Sequence, residues 1–267
     1  MAERELTGRV AIVTGAGAGI GAGIALALAG AGAAIAVADI DAPSAGAVVA
    51  AIEKQGGRAV AVTADVSDSV QVGDMIAQTI GRLGAVDILV NNAGIATTNL
   101  VEDLDEAAWR HVLDVNLTGP FLCSKAVLPH MRARGWGRIV NISSVAAKRI
   151  SFMAAASYTA SKAGLVGFTR HLAYEVARDG ITVNAICPGP TLTLMYERHA
   201  DEAMRRERVA MIPNGRWVTP EDLGRVTVFL CSSAADAMCG LAIDVDGGTL
   251  LGWAPLDAYL AKRRRRK

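Results

Sequence analysis

A tyrosine and a lysine lie four residues apart in the segment Tyr158-Thr-Ala-Ser-Lys162. Side chains at this spacing project from the same face of a helix, so the phenol and the ammonium can share one site. A phenol, with an ordinary pKa of about 10, is a poor base at neutral pH, but a fixed ammonium nearby stabilises the phenolate and lowers that pKa. We therefore predict that Lys162 activates Tyr158, which takes a proton from an alcohol or returns it to a carbonyl oxygen.

A glycine-rich segment, Thr14-Gly-Ala-Gly-Ala-Gly-Ile-Gly21, follows one apolar run and precedes a helical one. Gly15, Gly19 and Gly21 lack Cβ atoms where the backbone turns tightly and where a pyrophosphate must come close. The free N–H groups at the start of the helix, around Ile20, attract negative charge. The segment predicts a dinucleotide-binding loop, although composition alone leaves a simple tight turn open.

An aspartate, Asp39, ends the second apolar run, 20 residues beyond Gly19. A carboxylate at this point accepts hydrogen bonds from the adenosine ribose hydroxyls and repels a 2′-phosphate. The flanking residues Ala38 and Ile40 and the glycine loop supply no arginine or lysine to neutralise such a phosphate. Asp39 therefore predicts NAD as the cofactor, and a carboxylate that only caps a turn is the alternative.

Two further polar residues, Ser144 and Asn116, lie where the predicted elements invite an explanation. Ser144 follows an apolar strand, so its hydroxyl should emerge at the carboxyl end of the sheet, where it can hold the substrate oxygen. Ser143 is a rival for that role, and taken alone Ser144 could also cap a turn. Asn116 lies within a predicted helix although asparagine is a mediocre helix former, and a buried amide that satisfies neighbouring backbone is one reading of it.

The elements that position these residues alternate between short β-branched apolar runs and amphipathic stretches, a pattern typical of a parallel sheet covered on both faces. The predicted strands are Val10–Thr14, Ala34–Asp39, Ala59–Thr63, Ile88–Asn91, Arg138–Ile142, Thr182–Ile186 and Ala242–Val245. The predicted helices are Ile20–Ala29, Ala45–Lys54, Val70–Arg82, Glu106–Met131, Tyr158–Arg178 and Pro220–Leu230. We expect an α/β fold of the Rossmann type, with a doubly wound, seven-stranded parallel sheet in one domain over residues 1–267.

The composition excludes several other classes of protein. The net charge is +1, which produces no global field for nucleic acid, and no apolar run approaches the roughly 20 residues that span a bilayer. Residues 1–9 lack the apolar segment of a secretory signal, so we expect a soluble, cytoplasmic protein. Cysteines and histidines are scattered without the spacing of metal ligands, and we predict no metal site. These residues are Cys123, Cys187, Cys231, Cys239, His111, His130, His171 and His199.

Several motifs occur in one order along the chain: Thr14-Gly-x-x-x-Gly19-x-Gly21, Asp65-Val66, Asn91-Asn92-Ala93-Gly94, Asn116, Ser144, Tyr158-x-x-x-Lys162 and Pro188-Gly189. In this ordered set, which runs from about Gly8 to Gly248, the chain resembles the classical short-chain dehydrogenases/reductases. The resemblance implies that Asn116, with a local helix kink, holds a water that connects Lys162 to solvent. It also implies a homotetramer.

The same resemblance implies a set of cofactor contacts. Asp65 and Val66 would contact the adenine, and the turn of Asn92 and Gly94 would lie beside the cofactor. The segment from Pro188 to Thr193 would embrace the nicotinamide carboxamide. The contacts so implied also include Gly189, Thr191, Tyr158 and Lys162.

The substrate side carries no decisive motif. We expect the pocket between Val145–Ser157 and a lid over residues 188–217, with apolar walls that suit a medium-sized secondary alcohol or ketone, although core packing explains the same residues. These apolar residues are Ile150, Phe152, Met153, Leu192, Leu194 and Met195. Within the lid, Glu197–Arg208 is dense in charge and could clamp an anionic substrate or form a solvated helix face. The basic tail over 262–267 is expected to be disordered and solvated, with an anion-binding tail or one that reaches a neighbouring subunit as alternatives.

The function predicted from these residues is reversible hydride transfer between NAD and a secondary alcohol or ketone. An NADPH-dependent 3-ketoacyl reductase is the nearest rival, because it shares the reacting residues but normally has a basic residue near the ribose. A dinucleotide-binding sensor or scaffold without catalysis is a rival of another class. Such a protein would be expected to lack the tyrosine, the lysine or the serine, and all three are present.

Overall fold

The chain is described by a computed structural model over residues 5–192, 202–252 and 254–264. Within these residues, seven parallel strands form one sheet in the order β3-β2-β1-β4-β5-β6-β7. The strands are β1 (Val10–Thr14), β2 (Ala34–Asp39), β3 (Ala59–Thr63), β4 (Ile88–Asn91), β5 (Gly137–Ile142), β6 (Ile181–Pro188) and β7 (Ala242–Val245). The predicted doubly wound sheet is confirmed, and each predicted strand lies within or coincides with an observed one.

Helices cover both faces of the sheet. They are α1 (Gly19–Gly30), α2 (Ala42–Lys54), α3 (Ser69–Leu83), α4 (Glu106–Leu113), α5 (Gly119–Arg134), α6 (Ala156–Val176), α7 (Glu202–Ala210), α8 (Pro220–Cys231) and α9 (Leu256–Arg264). Successive side chains of β1 point to opposite faces of the sheet. Ala11 and Val13 pack into one core with α1, α2 and α8. Val10 and Ile12 point to the opposite face and pack with α3, α5 and α6.

The single helix predicted over Glu106–Met131 is wrong. A π-helical turn over Asp114–Thr118 separates α4 from α5. Pro120 stands in the first turn of α5 and has no N–H to donate to the carbonyl four residues earlier, so the regular pattern cannot run through this point. The break places Asn116, which is fully buried, where its side chain can bond to another segment.

The strand order reverses between β1 and β4. Strand β1 pairs in parallel with β2 on one side and with β4 on the other. In open sheets of this kind, ligands bind outside the carboxyl ends of the strands at such a reversal. Among the described residues, no helix is long and apolar enough to cross a membrane, and no group of three or more side chains could hold a metal ion.

Candidate active site

A cleft of about 820 Å³ opens at the carboxyl ends of the strands. Its lining includes almost all residues predicted to react or to bind a cofactor: Gly15, Gly19, Ile20, Asp39, Asp65, Val66, Asn92, Gly94, Ser144, Tyr158, Lys162, Pro188, Gly189 and Thr191. Gly21 and Asn116 do not line the cleft and are buried. Thr193 lies outside the described residues. The structure therefore brings the predicted set together from the ends of six strands and from helix α6.

The glycine loop is tightly packed against its surroundings. Gly15 has a φ of +61°, and a Cβ atom there would lie 2.7 Å from the Cα atom of Ala93. A Cβ atom at Gly21 would lie 2.2 Å from the carbonyl oxygen of Gly15. Helix α1 begins after Ala18, which has no side-chain acceptor, and its first turn contains no acidic residue. The first N–H groups of α1 are thus left without a capping side chain at the cleft, which fits the pyrophosphate of a dinucleotide.

Asn92 joins the loops that follow β1 and β4. Its Nδ2 donates to the carbonyl oxygens of Thr14 and Gly15, both at 2.9 Å. In return, the Thr14 hydroxyl accepts from the main-chain N–H groups of Asn92 and Ala93, both at 3.1 Å. The Asn92 side chain therefore positions the glycine loop at the cleft.

Asp39 lies at the end of β2. Lys162 lies beside the end of β5, three strands further along the sheet. Oδ2 of Asp39 accepts from the N–H of Gly17 at 2.8 Å, and its Oδ1 accepts from the N–H of Asp41 at 3.0 Å. These two bonds aim the carboxylate while leaving each oxygen able to accept another hydrogen bond. Among the described residues that line the cleft, Lys162 is the only lysine or arginine, so no such cation neighbours Asp39 there.

Ser144 and Tyr158 are hydrogen-bonded through their side chains. Burial raises the pKa of the Tyr158 phenol, and the hydrogen bond with Ser144 opposes that rise. The net shift of this pKa is upward, opposite to the expected lowering, because desolvation of the phenol outweighs the hydrogen bond with Ser144. The Lys162 ammonium lies 5.6 Å from the centroid of the Tyr158 ring.

The rival serine, Ser143, is committed elsewhere. It is buried, and its hydroxyl donates to the carbonyl oxygen of Lys162 at 2.9 Å. Both serines line the cleft, but the Ser143 hydroxyl connects β5 to α6, whereas Ser144 is partly exposed and interacts with Tyr158.

Lys162 is 4% exposed, and burial lowers the pKa of its ammonium to about 8. Its Nζ donates to the carbonyl oxygen of Ile142 at 2.8 Å. A Cβ atom at Gly94 would lie 3.4 Å from this Nζ and 3.3 Å from Oδ1 of Asn116. Nζ of Lys162 and Oδ1 of Asn116 thus both lie close to the space that a side chain at Gly94 would occupy.

Asn116 connects the loop after β4 to helix α6. Its Nδ2 donates to the carbonyl oxygen of Ile95 at 2.9 Å and to Oγ of Ser161 at 3.1 Å. The Ser161 hydroxyl in turn donates to the carbonyl oxygen of Tyr158 at 2.8 Å. The helix kink implied by the resemblance is present as the π-helical turn, and the buried amide that satisfies neighbouring backbone is also present. A water between Lys162 and solvent stays a prediction.

The sequence interpretation missed two cleft residues that precede Asn116, one on α4 and one in the π-helical turn. His111 was grouped with scattered histidines, yet it lines the cleft together with Val115, one helical turn further on. Their spacing of four residues is the signal that could have placed both side chains on one helical face. Ile40 and Ile95, which follow strands β2 and β4, also line the cleft.

The substrate side is formed by two segments. In the loop after β5, Ile150 and Phe152 are exposed, and the N–H of Ala155 donates to the carbonyl oxygen of Thr97 at 2.7 Å. At the base of the lid, the N–H of Leu192 donates to the carbonyl oxygen of Val218, the residue that follows the lid, at 2.9 Å. Leu194, Met195 and residues 197–201 of the predicted charged segment lie outside the described residues. In the basic tail, Lys262–Arg264 are helical as the end of α9 rather than disordered, and 265–267 lie outside the described residues.

Comparisons with known proteins agree with this architecture. Residues 15–249 match the profile of a family described as enoyl-(acyl carrier protein) reductase. The chain is 41% identical to a 3-oxoacyl-[acyl-carrier-protein] reductase of Synechocystis sp. over 248 residues, which cover 92% of this chain and 98% of that protein. It is 42% identical to a cis-4-hydroxycyclohexanecarboxylate dehydrogenase of Sinomonas cyclohexanicum over 242 residues, which cover 90% of this chain and 96% of that protein.

A solved structure supports the same relationship. It comes from Beutenbergia cavernae, is provisionally assigned as an NAD(P)-dependent gluconate 5-dehydrogenase, and contains NADP at low occupancy. The match has a TM-score of 0.87 and 40% identity, and it covers 94% of this chain and 100% of that chain.

Proposed function

We propose that this chain, which belongs to the short-chain dehydrogenase/reductase family of oxidoreductases, transfers a hydride reversibly between NAD and a secondary alcohol or ketone. The observation that carries the proposal is the convergence of Ser144, Tyr158 and Lys162 at one end of a cleft that also contains Asp39. We further propose that residues 1–267 act as one catalytic domain in a cytoplasmic homotetramer.

The residues of the cleft would hold the cofactor in sections. The glycine loop and the start of α1 would bind the pyrophosphate, and Asp39 would accept from the adenosine ribose hydroxyls. Asp65 and Val66 would contact the adenine. Pro188, Gly189 and Thr191, together with Thr193, would hold the carboxamide. When bound, the nicotinamide supplies the hydride acceptor or donor.

The reaction at the substrate oxygen is assigned to three side chains. Ser144 donates a hydrogen bond to that oxygen, and Tyr158 moves a proton to or from it. Because burial keeps the pKa of Tyr158 high, the phenol is protonated at neutral pH and is ready to donate in the reductive direction. In oxidation, Tyr158 must lose its proton first, and the neighbouring Lys162 ammonium stabilises the resulting phenolate. Asn116 sets the position of α6 through Ser161.

The preference for NAD rests on Asp39. A 2′-phosphate would meet its carboxylate, with Asp65 lining the same cleft and, as far as the described residues extend, no arginine or lysine lining it nearby. The opposing candidate, an NADPH-dependent 3-oxoacyl reductase, is favoured by the similarity to the Synechocystis protein and by the NADP in the Beutenbergia structure. Initial rates with NAD and with NADP, measured for the same alcohol, separate the two, and a strong preference for NADP would contradict our assignment.

The proposed chemistry is tested with Tyr158→Phe. Alcohol oxidation, followed by the absorbance of the reduced nicotinamide, is screened over cis-4-hydroxycyclohexanecarboxylate, its methyl ester, polyols and secondary alcohols. Loss of the proton-transferring group should lower kcat by about 10²- to 10⁴-fold. Tyr174→Phe is the matched control, since Tyr174 lies on the same helix and is 91% exposed, and it should leave kcat unchanged. Equal kcat values for wild type and Tyr158→Phe would refute the proposed role.

A further inference from the structure

One arginine of the lid contacts the loop that leads to Tyr158. The guanidinium carbon of Arg208, on α7, lies 4.8 Å from the ring centroid of Phe152. Phe152 is 84% exposed, and its loop runs between Ser144 and Tyr158, the two residues assigned to the substrate oxygen. The contact therefore places a positive charge on the rim of the substrate side, held against an aromatic face.

The ends of the lid explain why α7 lies at this rim. Val218 donates its N–H to the carbonyl oxygen of Pro190 at 3.1 Å, and this bond joins the two ends of the segment that carries α7. The bond lies next in the chain to Thr191, which lines the cleft. After α7, Ile212 is buried, and Asn214 donates its N–H to the carbonyl oxygen of Gly247 at 3.0 Å. Arg208 is thus joined to the cleft by fixed backbone on its carboxyl side.

Arg208 differs from the other described arginines of the lid in having no carboxylate partner. Arg206 forms an ion pair with Glu202, and Arg216 pairs with Asp222. Among the described residues, no aspartate or glutamate forms an ion pair with Arg208. The residues three and four positions away along the helix are Met204, Arg205, Met211 and Ile212, none of which is acidic.

Arg208 is also only partly exposed, unlike Arg206, which is 78% exposed. Within the part of the chain that the structure describes, Arg208 is a cation partly removed from water without a counter-charge, which is unfavourable unless another group supplies one. A carboxylate is the group that a guanidinium binds best, because two parallel N–H groups match its two oxygens.

We propose that Arg208 binds the carboxylate of the substrate, so that this enzyme acts on hydroxy acids whose carboxylate lies away from the carbinol carbon. The inference rests on the proposed function, since Ser144 and Tyr158 must hold the hydroxyl while Arg208 holds the other end. Phe152 positions the guanidinium and covers one of its faces. The carboxylate, rather than the alcohol, then determines which substrates bind well.

The test compares Arg208→Met with the matched control Arg206→Met from the same helix. Cis-4-hydroxycyclohexanecarboxylate and its methyl ester serve as a charged and a neutral substrate. For Arg208→Met, KM for the acid should rise about ten- to hundredfold, while KM for the ester and kcat for both change by less than about twofold. Arg206→Met should change none of these values, and Arg208→Lys should restore part of the binding of the acid.

A binding measurement keeps this inference separate from the proposed reaction. Cyclohexanecarboxylate cannot be oxidised, and its affinity for the enzyme mixed with NAD is measured by calorimetry for wild type and both methionine variants. Weaker binding only in Arg208→Met supports the carboxylate site even if no alcohol is turned over, and that absence of turnover would count against the proposed function alone. Equal binding by all three proteins, or an equal rise of KM for acid and ester, would overturn the role of Arg208.

Discussion

The side-chain amide of Asn116 bonds to both main-chain polar groups of Ile95: its Oδ1 accepts from the N–H at 2.8 Å, and its Nδ2 donates to the carbonyl oxygen at 2.9 Å. This pair of bonds holds the loop after β4 against the break between α4 and α5. A third bond of this amide, from Nδ2 to Oγ of Ser161, connects it to the helix that carries Tyr158 and Lys162.

Asn116→Leu should therefore destabilise the protein. The substitution leaves the two partly buried polar groups of Ile95 without their partner, and the free energy of unfolding should fall by about 2–4 kcal/mol. Ser161→Ala, which removes only one of the three partners of Asn116, should cost about 1 kcal/mol. Urea denaturation of the three proteins measures both losses, and an equal loss in both variants would contradict the part assigned to Ile95.

Lys162→Met should stabilise the protein near neutral pH while abolishing its activity. Burial lowers the pKa of Lys162 from 10.5 to about 8, so below pH 8 the folded state contains a buried ammonium that is less favourable there than in the unfolded chain. The shift corresponds to roughly 3 kcal/mol, from which about 1 kcal/mol is subtracted for the lost hydrogen bond to Ile142.

The pH dependence gives this prediction its sign. Between pH 8 and 10.5 the unfolded wild-type chain binds more protons at Lys162 than the folded one, so wild-type stability rises with pH relative to the variant. The advantage of Lys162→Met should be full at pH 7 and should vanish as the pH approaches 10.5. Chemical denaturation of both proteins across this range measures the difference, and a gap that does not depend on pH would argue against a buried charged lysine.

Asp39→Ser should shift the cofactor preference towards NADP. The shorter neutral side chain removes the charge that would repel a 2′-phosphate and weakens the contact to the ribose of NAD. The ratio of kcat/KM for NAD to that for NADP should fall by about tenfold or more, since one lost charge contact is worth about 1.5–3 kcal/mol. Asp41→Asn is the control, because Asp41 contacts Asp39 through its main-chain N–H, which the substitution keeps. An unchanged ratio in Asp39→Ser would remove the basis for NAD.

Gly15→Ala should impair both folding stability and dinucleotide binding. Its φ of +61° is unfavourable for alanine, and the new Cβ atom would lie 2.7 Å from the Cα atom of Ala93, which is backbone that cannot easily move. We expect a loss of about 1–3 kcal/mol in stability and weaker binding of the cofactor. Gly73→Ala is the control on the exposed face of α3, where a Cβ atom meets nothing within 4 Å, and it should add about 0.5–1 kcal/mol. Thermal melts with and without NAD measure both effects.

Strand and helix positions were predictable because they depend on local periodicity. The strand Val10–Thr14, the glycine loop and helix α1 follow one another within one stretch of chain, and their patterns are sufficient to predict a strand, a turn and a helix. The prediction of one helix over Glu106–Met131 failed because the break in it depends on Pro120 together with a bond from Asn116 to a segment 21 residues away. Periodicity contains no information on such a partner.

The sequence by itself determined the sheet, the order of the motifs and the identity of the polar groups that the carboxyl ends of the strands would present. Only the tertiary structure decided that the Ser143 hydroxyl is bound to the main chain of Lys162 while Ser144 lies beside Tyr158, that the pKa of Tyr158 is raised rather than lowered, and that Arg208 lies on Phe152. The reason is physical: desolvation, hydrogen-bond partners and counter-charges depend on which distant segments pack around a group, whereas strand and helix patterns repeat within a few residues of each other.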